Sequence, residues 1–187
     1  VAGWAQPLVL ASTSPQRRAI LAALGVAFAV VAPAYEEHDL PGVDAAELAL
    51  RHARGKAASV RGGIVLGVDT VVTIDGGVLG KPADREEARR SIETLAGRDH
   101  HVHSGLAVRC DGVEVCRSAV TRVRFRPLSG ADVERYLDTG EWNGRAGGYA
   151  VQGAGAGLVQ TIEGDHSNVV GLPVAALVDA LGELAGC

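Results

Sequence analysis

The sequence predicts an α/β fold built on a mixed sheet, and three observations predict it. Short apolar runs alternate with amphipathic stretches along the whole chain, the interleaving that lays helices on a sheet. Two turn signals, Asp75-Gly76-Gly77 and Asp111-Gly112, sit between strand-like runs and mark hairpins, so the sheet is not purely parallel. Hydrophobic residues make up 47% of the 187 and charged residues 21%, a globular composition in a chain of single-domain length with room for two lobes.

The elements follow in order. Leu8-Val9-Leu10-Ala11 is a short apolar run and reads as a buried strand. Ser14 then stands at an N-cap with Pro15 at the first helical position, and the helix runs through Ile20, Leu21 and Leu24 to a stop at Gly25. Phe28 to Val31 reads as a second strand, ending at Pro33. Asp44 with Glu47 has the form of a capping box and opens a helix to about Val60. Ile64 to Val68 reads as one buried strand, and Val71 to Ile74 with Val78-Leu79 as the arms of the first hairpin. Asp84 with Glu87 starts a helix whose apolar face is Ala88, Ile92 and Leu95, and Gly97 ends it. Residues 101–109 and 113–126 are long strands around Asp111-Gly112. Ser129 with Asp132 caps a helix through Val133, Tyr136 and Leu137 that ends at Gly140. Residues 141–149 are Gly-rich and loop-like, with short strands expected near Ala150-Val151 and from Leu158 to Ile162. Pro173 begins a last helix through Leu177 and Leu181. No internal repeat, low-complexity tract or linker interrupts this order.

Composition narrows the function classes. A net charge of −4 argues against a general nucleic-acid binder. Of the 18 basic residues, only Lys56 and Lys81 are lysines. Ammonium and guanidinium are not interchangeable, so a lysine surviving such a bias toward Arg is a candidate for a site. Cys110, Cys116 and Cys187 show no disulfide framework or metal spacing. A two-residue hairpin loop would set Cys110 opposite Val113 and Cys116 opposite Ala107, so those thiols would not meet. The first ten residues lack the basic start and apolar length of a secretion signal, and no run of about 18 apolar residues exists. The expected compartment is the cytoplasm, with no membrane and no nucleic acid as partner.

Four segments can bear chemistry. In Leu10-Ala-Ser-Thr-Ser-Pro-Gln-Arg-Arg18 a strand feeds a polar turn and a helix N-terminus, where free N–H groups and the helix dipole favour an anion. Ser12 can add a hydroxyl there and Arg17 a guanidinium fork. Glu36-Glu37 follows a strand, and paired carboxylates at a strand exit can hold a divalent cation. Asp69 interrupts an apolar strand pair, so its carboxylate needs a partner or a metal; beyond the hairpin, Gly80 and Pro82 bracket Lys81. The stretch from Gly140 to Gly153 is rich in glycine, which permits close backbone approach. Each segment alone also fits a structural role: a cap, a solvated acidic turn, a hydrogen-bonded Asp. The Gly153, Gly155, Gly157 run is no dinucleotide fingerprint, because Leu158 stands where the third Gly belongs, and neither a Walker A motif nor H-E-x-x-H is present.

Taken together and in order, these phrases resemble the Maf family of nucleotide pyrophosphatases over about Leu8 to Leu181. The resemblance rests on Leu-Ala-Ser-x-Ser-Pro-x-Arg at 10–17, Glu36-Glu37, Lys56-Ala57, Asp69-Thr70-Val71-Val72 and Gly80-Lys81-Pro82. It continues through Gly140-Glu-Trp, Gly144-Arg-Ala-Gly-Gly-Tyr, Gln152-Gly153 and Glu163-Gly-Asp-x-Ser-Asn-Val-Val-Gly-Leu-Pro173. Both lysines fall on these phrases.

The resemblance implies cleavage of a nucleoside triphosphate between its α and β phosphates. Ser12, Arg17, Lys56 and Lys81 would bind the triphosphate, and Glu37 and Asp69 would hold Mg²⁺ or Mn²⁺. Asp69 is also the implied base for the attacking water, while Thr70 and Gln152 would place the base and sugar. The implied fold is an elongated mixed sheet with flanking helices, two lobes around a central cleft, similar to the inosine triphosphate pyrophosphatases; homodimers are common in the family. Such a set suits phosphoryl transfer, which needs positioning and neutralised oxygen charge more than covalent help.

Two positions depart from the family pattern. Gln16 stands where a first arginine is usual, and Arg18 lies about 100° around the helix from Arg17. Val68 replaces the commoner Ala before Asp69. The Gly-Arg-Ala-Gly-Gly-Tyr-Ala-Val-Gln wording with Gln152 is similar to the dTTP/UTP branch, and a 7-methyl-GTP or other non-standard nucleotide is the alternative within the class. From another class, the alternative is a regulatory binding protein in cell division or septum formation.

Overall fold

A computed structural model describes residues 8–38 and 42–184. The readings made of the first seven residues and of the Cys187 thiol lie outside the described residues. The chain order is β1 (Leu8–Ala11), α1 (Pro15–Ala23), β2 (Phe28–Val31), α2 (Ala45–Ala58), β3 (Ile64–Ile74), β4 (Gly77–Leu79) and α3 (Arg85–Leu95). Then come β5 (Asp99–Cys110), β6 (Val113–Phe125), α4 (Gly130–Asp138), β7 (Val159–Glu163), α5 (His166–Val170) and α6 (Val174–Glu183). Among the described residues the strands form a seven-stranded mixed sheet in the order β2-β1-β3-β5-β6-β7, with β4 added to β3. The α/β fold class and the mixed sheet are those that the sequence predicts. No helix among the described residues is long and apolar enough to cross a membrane.

The chain forms two compact units. The first takes the described residues up to Asp69, then Ser104–Ala119 and those from Gly171 onward; the second takes Thr70–His103 and Val120–Val170.

In the first unit β1 pairs in parallel with β2 (Leu8↔Phe28) and with β3 (Leu8↔Ile64, Ala11↔Gly67). Successive strand residues face opposite sides, so each strand feeds two cores. Leu8, Leu10, Leu66, Val68, Leu106 and Val108 pack with Leu21 of α1 and Leu177 and Leu181 of α6. Ala11, Val65 and Ala107 meet Ala53 and Ala57 of α2. The thiols divide in the same way: Cys110 belongs to the first cluster and Cys116 packs on the second, and neither is in a disulfide.

In the second unit Val72, Ile74, Ile92, Leu95, Val123, Phe125, Tyr136 and Leu137 form one core. His100 is fully buried there, edge-on to Phe125 and Tyr149, with Nε2 2.8 Å from the Tyr149 hydroxyl. Burial, helped by His101 and opposed by Asp99, pushes its pKa down to about 4. A pKa depressed on folding gives stability that is present above the unfolded value and lost as pH falls toward the folded one. The urea midpoint is therefore expected to fall between about pH 6.5 and pH 4, and His100→Gln is expected to flatten that fall. An unchanged slope in the variant would assign the loss to other groups.

The structure differs from the sequence reading at four places. β3 is one strand through Asp69 rather than two, because the carboxylate has a buried ionic partner and the strand has no need to break. The first hairpin loop is Asp75-Gly76 alone, both at positive φ (51° and 78°), and Gly77 pairs with Ile74. Ala150-Val151 is not a strand. Gly147 and Gly148 turn the chain at φ 69° and 72°, and Ala150 N–H donates to the Tyr136 hydroxyl at 3.1 Å. The short helix α5 was unforeseen; before it, the Asp165 carboxylate accepts from Ser167 N–H at 2.7 Å.

Candidate active site

Small residues set the height of α2 above the sheet. A β-carbon at Gly67 would strike the Ala53 carbonyl and Ala57, and one at Gly105 would strike the backbone of Ala49 and Leu50. With hydrogen in both places, the helix lies directly on β3 and β5. Val65, Gly67 and Asp69 share the β3 face that meets α2. Lys56, in the last turn of α2, therefore reaches Asp69.

That contact is the charged centre of the first unit. The Lys56 ammonium lies 2.6 Å from an Asp69 oxygen and 2.6 Å from a Glu37 oxygen, and donates to the Val68 carbonyl at 3.5 Å. Lys56 and Asp69 are 7% and 8% exposed at the side chain and Glu37 is 39%, so one buried cation is shared by one buried and one half-open carboxylate. Glu36 does not join. It is exposed and pairs with His38 at 3.8 Å, so the expected pair of neighbouring carboxylates is divided. Consecutive residues of extended chain turn opposite ways, and Glu37 instead shares the Lys56 ammonium with Asp69, from elsewhere in the sequence.

Ser12 and Arg17 form a second group in the same unit. Ser14 caps α1, accepting from Arg17 N–H at 3.4 Å. The Ser12 hydroxyl oxygen accepts from Ser14 N–H and from Arg17 Nη1, each at 3.2 Å, which leaves its hydrogen as a donor. Arg17 is buried, and its Nε donates to the Gly171 carbonyl at 2.9 Å. Burial pushes the guanidinium below its ordinary pKa, while Asp69 and Glu37 push it back up. Arg17 thus stands in the field of both carboxylates. Arg18 is exposed, and the Gln16 carboxamide accepts from the Ser14 hydroxyl at 3.1 Å. Gln16 serves the helix cap in place of presenting a second cation. Gly171, whose carbonyl anchors Arg17, was missed as a site residue; its signal was its place in the Val-Val-Gly-Leu-Pro phrase.

Thr70, Lys81 and Gln152 belong to the second unit. Thr70 is half-buried in β3, Lys81 is exposed after β4, and Gln152 is exposed in a turn. Gly147 N–H donates to the Gly80 carbonyl at 3.0 Å, which ties the residue before Lys81 to the Gly-rich turn. Glu141, also missed, accepts from Ala154 N–H (3.0 Å) and Gly155 N–H (3.2 Å) and fixes the chain just after Gln152.

The donor set suits a hard divalent cation. Glu37 and Asp69 offer oxygen only, the ligand that Mg²⁺ and Mn²⁺ prefer. Among the described residues no three His, Cys, Asp or Glu side chains converge on one point. A cation would thus be held by two carboxylates and completed by a ligand's oxygens or water, as is usual for Mg²⁺ with phosphates. The carboxylates available to it are the two that share Lys56 here.

A family model described as Maf-like protein matches residues 7–184. A dTTP/UTP pyrophosphatase of Symbiobacterium thermophilum is 44% identical over 180 residues, 94% of this chain and 93% of its own. One of Anaeromyxobacter dehalogenans is 46% identical over 172 residues (90% and 89%), and one of Thermus thermophilus 46% over 169 residues (90% of each).

Proposed function

The chain belongs to the Maf family, and from that premise we infer that it is a nucleoside triphosphate pyrophosphatase acting on dTTP, UTP and modified pyrimidine nucleotides. Water attacks the α phosphorus, the α–β anhydride bond breaks, and the nucleoside monophosphate and pyrophosphate leave. The observation that bears this reading is the meeting of Glu37 and Asp69 on the buried Lys56 ammonium, beside Arg17. A binding surface has no use for two carboxylates and two cations drawn together below it, since partner surfaces favour aromatic anchors.

In this reading Glu37 and Asp69 hold Mg²⁺ or Mn²⁺, and Asp69 takes the proton of the attacking water. The bound cation supplies charge neutralisation on phosphate oxygens and a lowered pKa for water. Lys56, whose ammonium stands beside both carboxylates, would supply positive charge to the phosphates. The Ser12 hydroxyl and the Arg17 guanidinium supply donors beside the α1 N-terminus. From the resemblance we assign Lys81 to the phosphates, and Thr70 and Gln152 to the nucleoside. A carboxamide such as Gln152 can match the mixed donor and acceptor edge of uracil or thymine. We place the protein in the cytoplasm, in keeping with Cys110 and Cys116 lying outside any disulfide. We also propose a homodimer, supported by the edge strand β2, where Val30 and Val31 are 42% and 40% exposed.

The test is product analysis over dTTP, UTP, CTP, GTP, 7-methyl-GTP and ATP with Mg²⁺ or Mn²⁺. Monophosphate and pyrophosphate are expected from dTTP and UTP, with kcat/KM at least roughly tenfold above the other four. Turnover confined to 7-methyl-GTP would keep the reaction and overturn the reading of Gln152. No pyrophosphate from any nucleotide, in folded protein with either metal, would end the enzyme reading.

A further inference from the structure

We propose that Tyr35 is a positioning residue, a clamp that fastens the segment carrying Glu37 to α2 and so keeps its carboxylate at the site beside Lys56. The proposal rests on the reading of Glu37 as a cation-holding carboxylate.

Residues 32–38 form neither helix nor strand, so regular backbone structure does not aim the Glu37 side chain. A Glu on such a segment loses much rotamer freedom when it is held in one place, and something must hold it. Two residues earlier, the Tyr35 hydroxyl lies 3.0 Å from Nδ1 of the buried His52. The two rings meet edge-on, with centroids 5.8 Å apart at 62°.

The spacing matches on both sides. His52 and Lys56 are four residues apart in α2, hence on one face and about 6 Å apart along the axis. Tyr35 and Glu37 are two residues apart on non-helical chain, which reaches at most about 7 Å. Tyr35–His52 and Glu37–Lys56 are therefore two rungs of one ladder, and the segment is fastened to α2 twice.

Gly55 makes room for it. A β-carbon there would fall inside the van der Waals surface of the Tyr35 ring. Glycine weakens a helix interior, and this one stands directly before Lys56. The ring of Tyr35 accounts for its place.

The experiment is Mn²⁺ titration followed by electron paramagnetic resonance, with α,β-imido-dUTP, which is not cleaved between the α and β phosphorus atoms. Tyr35→Ala and Gly55→Ala are each expected to weaken Mn²⁺ binding roughly tenfold, the scale of lost support around a metal ligand. Tyr35→Phe keeps the ring and loses only the hydroxyl, for an effect of about threefold. Affinity for the analogue at saturating Mn²⁺ stays within about twofold, since the phosphate donors are untouched. In a Glu37→Gln background, Tyr35→Ala adds nothing.

Unchanged Mn²⁺ affinity in Tyr35→Ala and Gly55→Ala, with a loss in Glu37→Gln, would overturn the clamp and leave the role of Glu37 standing. Unchanged affinity in Glu37→Gln would remove that role and the clamp with it. An equal loss of analogue affinity at saturating Mn²⁺ in Tyr35→Phe would make Tyr35 a structural residue only.

Discussion

Asp69→Asn is expected to lower pyrophosphate release from dTTP by at least about 10³-fold, within the range that proton transfer by a placed side chain contributes. The substitution changes charge and almost nothing else. Asn keeps an oxygen for the Lys56 ammonium, which Asp69 now meets at 2.6 Å, and its volume fits the same buried position in β3. The melting temperature should therefore move little, and the lost turnover should appear in folded protein. Two functions disappear together, since an amide oxygen neither accepts the proton of water at neutral pH nor matches a carboxylate as a ligand for a hard cation. Raising Mn²⁺ should recover little activity. Turnover within tenfold of the parent, in a variant of unchanged melting temperature, would remove Asp69 from the reaction.

Lys56→Met should strike stability and activity together. The ammonium is the shared partner of Glu37 and Asp69, and methionine keeps the length of the side chain without its charge. Removing one partner of a buried pair leaves an uncompensated charge, which costs about 3–5 kcal/mol. Glu37, 39% exposed, can turn to water, so the lower end applies. For a chain of this size, about 3 kcal/mol lowers the melting temperature by roughly 6–12 °C. Mn²⁺ should raise the variant's melting temperature more than the parent's, because the carboxylates no longer hold an ammonium and a ligand of the folded state stabilises it by mass action. Differential scanning fluorimetry with and without Mn²⁺ reads both effects. A variant as stable as the parent, with no greater response to Mn²⁺, would show that the three charges are not coupled.

Local chemistry made much of this legible in the sequence. Ser14 before Pro15, Asp84 three residues before Glu87, and Ser129 before Asp132 announce helix starts through bonds that span three residues, and the structure has those caps. Asp111-Gly112 announces its hairpin because both residues tolerate positive φ (46° and 86°). What escaped depends on distant partners. Asp69 read as a break because Lys56, which lets a charge lie inside a strand, sits 13 residues earlier. Ala150-Val151 read as a strand because nothing local shows that Tyr136 takes the Ala150 N–H. Local chemistry treats Glu36 and Glu37 alike, and in the sequence only the family resemblance singled out Glu37; in the structure it is Glu37 that meets Lys56 of α2. The grouping of site residues by order and wording came from the family resemblance, which no single segment could have supplied.

The anchoring of Arg17 bears on how the protein is made. Its Nε is held by a carbonyl 154 residues further along the chain, and the first unit draws on three separate stretches of sequence. At ribosomal rates, Gly171 emerges roughly 8–30 s after Arg17. Through that interval the nascent chain carries the Ser12–Arg17 segment without its anchor, and a guanidinium that lacks its buried acceptor stays hydrated. The site is completed only after the chain has been made past Gly171, so a growing chain would not reach full affinity for the cell's nucleotides before that stretch has folded onto α1.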